Sequence, residues 1–391
     1  MLVDLGEQFF SGYFPDPDEN IEHLKAPLVL VGCNLCNLVQ LRDSFSLSQM
    51  YGDNYGYRSG LNSTMVEHLR MKALKLTKEY NLNSSSRILD IGANDGTFLK
   101  NFAKIGSTVT AIDPTIPNWL EFYDFEAELI GQLFDETILK SIQTHSFDLI
   151  TSISMFYDVA RPIEFAKLIK KLLSPSGVWH IELAYLPFMM RNNSYDTICH
   201  EHLEYYSLSS LNFILQQSNL QIISVDYNHI NGGSIALDIT HGNSEFFQSK
   251  FDVLASINYE EPKINYEQWD QFRKSIDGNI KAIKNGINKI ASSGQEIVGI
   301  GASTKGNVIL QATGMNSELI KFIAEINPRK YGKITPGTKI PIKTDNEAEK
   351  SLTKYKLVLP WHFKNHIVAN EKKFLNSGGK LIFPLPNFEI L

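Results

Sequence analysis

The sequence has few cysteines, no long apolar run and no basic tract, and each absence removes a class of protein. Three cysteines in 391 residues (Cys33, Cys36 and Cys199) cannot build a disulfide framework and fit a reducing compartment. No stretch approaches the roughly 18 uninterrupted apolar residues of a membrane span. Met1-Leu2-Val3-Asp4-Leu5 lacks the basic and apolar regions of a signal peptide. These features predict a cytoplasmic protein with no membrane partner. The net charge is -6 and the pI about 6.0, with no Lys/Arg-rich run. A nucleic-acid partner is disfavoured, because neutralising phosphates needs a basic face. No internal repeat or low-complexity tract is visible. Also missing are G-x-G-x-x-G, the P-loop spacing G-x-x-x-x-G-K-[ST] and H-E-x-x-H.

What is present is an ordinary globular balance, 43% hydrophobic and 20% charged, long enough for two or three cores. Residues 1–62 are rich in turn formers and aromatics and read as a small irregular lobe. Met65, Leu69, Ala73, Leu74 and Leu76 recur at helical spacing over Thr64 to Tyr80. Strands then alternate with helices: Ile88–Ile91, Thr108–Ile112, Phe147–Ser152 and Gly177–Glu182, with a helix from Ile163 to Leu173. That alternation predicts a parallel sheet covered on both faces. A polar segment and a charged helix, roughly Tyr266 to Ser293, precede a second alternation with strands at 297–300, 319–323, 356–359 and 380–383. The expected division is a lobe at 1–62, a cofactor domain at 63–190, a catalytic linker at 191–293 and a second Rossmann-like domain at 294–391. The fold class is α/β.

The run Ile88-Leu89-Asp90-Ile91-Gly92-Ala93-Asn94-Asp95-Gly96-Thr97 reads as strand, glycine turn and helix start. Glycine there lets a ligand approach the backbone. Its carboxylates are unfavourable beside a pyrophosphate but suit a cationic ligand. Asp113 follows the next strand, where an acidic side chain can accept from both ribose hydroxyls. Asp90, Gly92, Ala93, Asn94, Asp95, Gly96 and Asp113 are therefore the expected cofactor residues. The set resembles the first two motifs of class I methyltransferases, which implies S-adenosylmethionine.

Tyr195-Asp196-Thr197-Ile198-Cys199-His200-Glu201-His202-Leu203-Glu204-Tyr205-Tyr206-Ser207 is the densest polar segment. Methyl transfer to carbon or oxygen needs a base for the acceptor's proton. A histidine tuned by a neighbouring carboxylate suits that role. A metal role for His200 and His202 is the lesser reading, since H-E-x-x-H is missing.

Taken with these segments, several spaced matches make the chain resemble the sugar C-methyltransferases that act on nucleotide-linked deoxysugars. They are Asp4-Leu5-Gly6-Glu7-Gln8, Cys33-x-x-Cys36, Tyr55-x-Tyr57-Arg58-Ser59, Asn231-Gly232-Gly233-Ser234, the loop Gly299–Asn307, Asn327-Pro328, Thr335-Pro336-Gly337-Thr338 and Leu359-Pro360-Trp361-His362. The resemblance implies proton removal beside a 4-keto group, then attack of carbon on the sulfonium methyl. It implies His202 as base with Glu201 as partner, and Tyr55 or Tyr57 lining the acceptor pocket. It also implies an N-terminal zinc lobe with two cysteine pairs. Cys33 and Cys36 form only one pair, half of a four-ligand site. Two acceptor positions depart from the family: Cys199 stands where many members have tyrosine, and Asp158 where they have histidine.

Gly299-Ile300-Gly301-Ala302-Ser303-Thr304-Lys305-Gly306-Asn307 follows a strand and opens a helix. Amides, hydroxyls and Lys305 can hold an anion there. The resemblance suggests the acceptor's diphosphate. Cys199, Asp158, His200, Asn231, Ser303, Lys305, Asn307 and Arg329 are the expected substrate contacts. The leading expectation is C-methylation of a sugar nucleotide. Sugar O-methylation, a nucleotide-sugar oxidoreductase and a non-catalytic sugar-nucleotide binder are the alternatives.

Overall fold

A computed structural model describes residues 1–45, 57–247, 252–260 and 265–391. Three short strands open the chain: β1 (Val3–Phe9), β2 (Lys25–Gly32) and β3 (Val39–Leu41). A helix, Ser63–Glu79, follows. The Asn62 side chain caps it by accepting from the amides of Thr64 and Met65, at 2.9 and 3.3 Å. It buries Met65, Leu69, Ala73 and Leu76, one stripe at helical spacing.

Next come β4 (Arg87–Ile91), β5 (Thr108–Ile112), β6 (Glu128–Ile130), β7 (Phe147–Ile153) and β8 (Leu173–Ala184). β9 (Glu204–Tyr205), β10 (Leu220–Asn228) and β11 (Ser234–His241) follow. The last domain holds β12 (Ile297–Ile300), β13 (Ile323–Glu325), β14 (Ile342–Thr344), β15 (Tyr355–Val358), β16 (Lys380–Phe383) and β17 (Glu389–Ile390).

The central sheet runs β10-β11-β8-β7-β4-β5-β6. β4 to β8 are parallel, and β11 and β10 close the edge antiparallel. The near-continuous apolar runs of β4 and β7 are those of strands buried on both faces. The third sheet, β14-β13-β12-β15-β16-β17, is parallel except at β17. The chain is thus α/β: a Rossmann-like domain with a second Rossmann-like domain and a small N-terminal lobe.

Three details differ from the sequence reading. β10 and β11 complete the central sheet from inside the segment read as a linker. β9 belongs to the N-terminal sheet, β1-β2-β3-β9, so that lobe is finished by residues far along the chain. The strand expected at 319–323 begins only at Ile323, because the Asn316 side chain holds Glu318 and Leu319 in a turn. Among the described residues no helix is long and apolar enough to cross a membrane.

Candidate active site

Parallel α/β sheets expose their functional loops at the carboxyl ends of the strands. The turn after β4 begins at Gly92, whose φ is +76°; a Cβ there would lie 2.8 Å from Met155 Cγ. Both facts require glycine. The turn borders a cavity of about 500 Å³, lined by Asp90, Gly92, Ala93, Asn94, Asp113 and Ser154 among others. That is the size of a small-molecule site.

Asp90 is buried and accepts from the Thr151 hydroxyl at 2.6 Å. Burial, with Asp113 nearby, pushes its carboxyl up to about 7 despite that hydrogen bond. Asp113 is held rigidly: Oδ2 accepts from the Asn94 amide at 2.9 Å, and Oδ1 from Thr115 N and Oγ1 at 2.6 and 2.5 Å. A cavity with the buried Asp90 carboxyl and a turn that opens on glycine fits S-adenosylmethionine, whose amino and sulfonium groups are cationic.

Asp95 and Gly96 do not line this cavity, contrary to expectation. Asp95 instead holds the turn at 59–61, accepting from the Gly60 amide at 2.9 Å and facing Arg58 at 3.5 Å. At Gly96, with φ +72°, a Cβ would meet Tyr123 at 2.7 Å, so that glycine serves packing.

A second cavity of about 650 Å³ adjoins the first; Tyr57, Met65, Ser154 and Asp158 line both. Its walls come from all three lobes: Gly12 and Phe14, then Glu201 and His202, then Gly301 to Lys305, Asn327 and His362. His202 Nδ1 donates to the Thr197 carbonyl at 2.8 Å. That fixes the tautomer and leaves Nε2 with the lone pair. The Tyr157 ring lies 4.3 Å from the imidazole. Burial, then the Lys305 charge, push the imidazole down to about 3, so it is neutral at pH 7.

Glu201 is buried, and burial raises its carboxyl above the usual range although Cys199, Ser11 and Gly12 all hydrogen-bond to it. A Cβ on Gly12 would lie 2.0 Å from Glu201 Oε1. The N-terminal lobe therefore sets the carboxyl's position through a missing side chain.

Of the remaining expected contacts, Asp158, Asn231, Ser303 and Lys305 line the second cavity. Ser303 Oγ also accepts from the Gly306 amide at 3.0 Å and caps the helix Thr304–Thr313. Tyr57 lines both cavities, whereas Tyr55 lies outside the described residues.

Four expected substrate contacts are elsewhere. His200 is fully buried between Phe10 and Phe45, with Nε2 on the Ala26 carbonyl at 3.1 Å; burial pushes it down to about 4. Cys199 is fully buried behind Glu201. Asn307 donates to the Ser11 carbonyl at 2.7 Å and so anchors the loop carrying Gly12. Arg329 is exposed, 4.1 Å from the Trp119 ring and 2.7 Å from the Asn118 carbonyl, where it joins the last domain to the central one. In each case a protein partner takes the side chain expected to meet substrate.

Cys33 and Cys36 are adjacent, with thiols in hydrogen-bonding contact. Among the described residues no group of three or more His, Cys, Asp or Glu stands close enough to hold a metal. Two thiols do not close a tetrahedral zinc site.

Sequence reading missed Ser154 and Gly12 as cavity walls. Ser154 had a signal, being at the carboxyl end of a parallel strand. Gly12 had none, because it meets Glu201 across 189 residues of chain.

Residues 65–225 match the family described as a methyltransferase domain, and residues 229–386 the family described as a C-methyltransferase C-terminal domain. The whole chain aligns with the C-methyltransferase NovU of Streptomyces niveus at 28% identity, covering 94% of that protein. A ubiquinone biosynthesis O-methyltransferase of Histophilus somni is 29% identical over 30% of this chain and 50% of its own. Among solved structures, a SAM dependent methyltransferase from Aquifex aeolicus has a TM-score of 0.34 and 16% identity, covering 46% of this chain and 97% of that one. A likeness that distant carries no assignment.

Proposed function

Because the chain is an S-adenosylmethionine-dependent methyltransferase similar to a C-methyltransferase along its whole length, we propose that it methylates a carbon beside a keto group of a nucleotide-linked deoxysugar. The observation that carries this reading is His202. Its Nδ1 is committed to Thr197, and the residue lines a cavity whose wall is shared with the donor cavity. A neutral imidazole with a free Nε2 is the base that removal of a carbon-bound proton requires.

S-adenosylmethionine supplies an electrophilic methyl group when bound. Asp90 and Asp113 hold its cationic and ribose portions. His202 Nε2 takes the proton from the acceptor carbon. Glu201, whose carboxyl burial holds above the usual range, orients the acceptor. The amides at Gly301 to Thr304, with the Ser303 hydroxyl, hold the diphosphate at the start of the helix Thr304–Thr313. Lys330 adds charge there: its ammonium donates to the Ala302 carbonyl inside that loop at 2.6 Å.

The test is incubation with methyl-labelled S-adenosylmethionine and a panel of nucleotide-linked 4-keto deoxysugars, with the methylated atom located by NMR. A new carbon–carbon bond beside the carbonyl is expected. A methyl ether would replace this reading with O-methylation, and no transfer to any panel member would overturn the acceptor class.

A further inference from the structure

Lys305 stands one residue inside the helix whose N-terminus faces the acceptor cavity, which is the ordinary place for a phosphate-binding lysine. Its ammonium goes elsewhere. Nζ donates to the Asn231 carbonyl at 2.8 Å. Asn231 has a left-handed φ of +55°, and its side-chain amide donates to Ser154 Oγ at 3.3 Å. Ser154 belongs to the wall that the two cavities share. The ammonium is therefore tied, through Asn231, to the boundary where the acceptor meets the methyl donor. The glycine loop has a different cation, Lys330, on the Ala302 carbonyl.

We propose that the Lys305 ammonium binds the acceptor's carbonyl oxygen and carries the negative charge of its enolate. The inference rests on the keto-sugar reading above. In the step it serves, His202 Nε2 takes a proton from the carbon beside the carbonyl. The C–H bonding pair becomes the new C=C bond, and the carbonyl π pair moves onto oxygen. Asn231 uses one ammonium proton and leaves two for that oxygen. A fixed cation at developing negative charge is worth most in a partly buried site and needs no reorganisation.

The cation also disciplines the base. In the free enzyme the Lys305 charge helps hold the His202 imidazole near 3. Negative charge growing on the enolate oxygen offsets the Lys305 charge, so the cation's opposition to a proton on His202 falls as that proton moves. Asp196, anchored by the Trp361 indole at 2.7 Å, lies near enough to stabilise the ammonium against its burial.

The test is solvent-deuterium incorporation beside the carbonyl of the keto-sugar nucleotide, followed by NMR with S-adenosylhomocysteine in the donor site, so that no methyl transfer is needed. Lys305→Met should slow exchange by about 10²–10³-fold, the usual loss for one oxyanion donor. Its affinity for uridine, thymidine and guanosine diphosphates, measured by calorimetry, should stay within about threefold. Lys305→Gln, which can still donate to the Asn231 carbonyl, should keep the wild-type melting temperature and still lose exchange. Two results overturn the role: exchange within about threefold of wild type in both variants, or diphosphate affinity falling tenfold or more with exchange at saturation intact. Wild-type protein that exchanges no panel member overturns the keto-sugar reading, and the Lys305 role with it.

Discussion

The two cavities of this protein are built in opposite ways. The donor cavity is assembled largely from strand ends of one sheet, with Asp90 near the end of β4, Gly92 and Asn94 in the turn after it, and Asp113 just past the next strand. The acceptor cavity takes Gly12 from one lobe, His202 from a loop and Lys305 from another domain. A site written into one βα unit keeps its chemistry when distant parts change. A site assembled from three lobes depends on how each is placed.

The sharpest test of this contrast removes the base alone. His202→Gln should reduce methyl transfer by about 10²–10⁴-fold and leave S-adenosylmethionine affinity unchanged by calorimetry. A loss of donor affinity would mean that the cavities are not separable.

Gly12→Ala should come next. Its Cβ would sit 2.0 Å from Glu201 Oε1, so the carboxyl must move. A misplacement of about 1 Å can cost about 10²-fold in rate. Steady-state kinetics should show the loss in kcat and in the acceptor's KM, with donor binding intact. Unchanged kinetics would remove Glu201 from the acceptor site.

The cavities should also differ in pH response. Asp90 must be ionised to pair with a cation, and its value of about 7 lies above that of an ordinary aspartate. Donor affinity should therefore fall as pH drops, by about tenfold from pH 8 to pH 6. His202, near 3, stays neutral across that window and adds no acid limb. Asp90→Asn should abolish the slope. A slope that survives the substitution would assign it to another group.

The smallest effect is expected at Arg329, outside both cavities. Arg329→Ala should lower stability by about 0.5–1 kcal/mol, the worth of an exposed cation–π contact, as read by thermal unfolding. Nucleoside diphosphate affinity should not change. A tenfold loss would return Arg329 to the acceptor site.

The same contrast explains what the sequence revealed. The central fold was legible because its periodicity, turns and strand runs are local signals. The Gly92 turn and Asp113 were legible for the same reason. The direction of Asp95 was not, since it depends on Gly60 and Arg58, 35 and 37 residues earlier in the chain. His202 stood out by its neighbours, but so did His200, two residues earlier in the same polar run. Only tertiary packing separates them: Phe10 and Phe45 enclose one ring, and the cavity receives the other. Arg329 and Asn327 stand two residues apart, yet Trp119 draws the arginine onto the neighbouring domain while Asn327 stays at the cavity.

One pairing has a practical consequence. β9 begins at Glu204, two residues after the base, and its partner in the N-terminal sheet is β3. For protein engineering, the exchangeable module is therefore not a contiguous domain. A chimaera that grafts the N-terminal lobe of a relative onto this chain would also re-register the strand that carries His202 into place. Swapping the lobe together with the segment around β9 would keep that register. Acceptor preference should then travel with the graft, while the methyl-donor half of the enzyme stays behind unchanged.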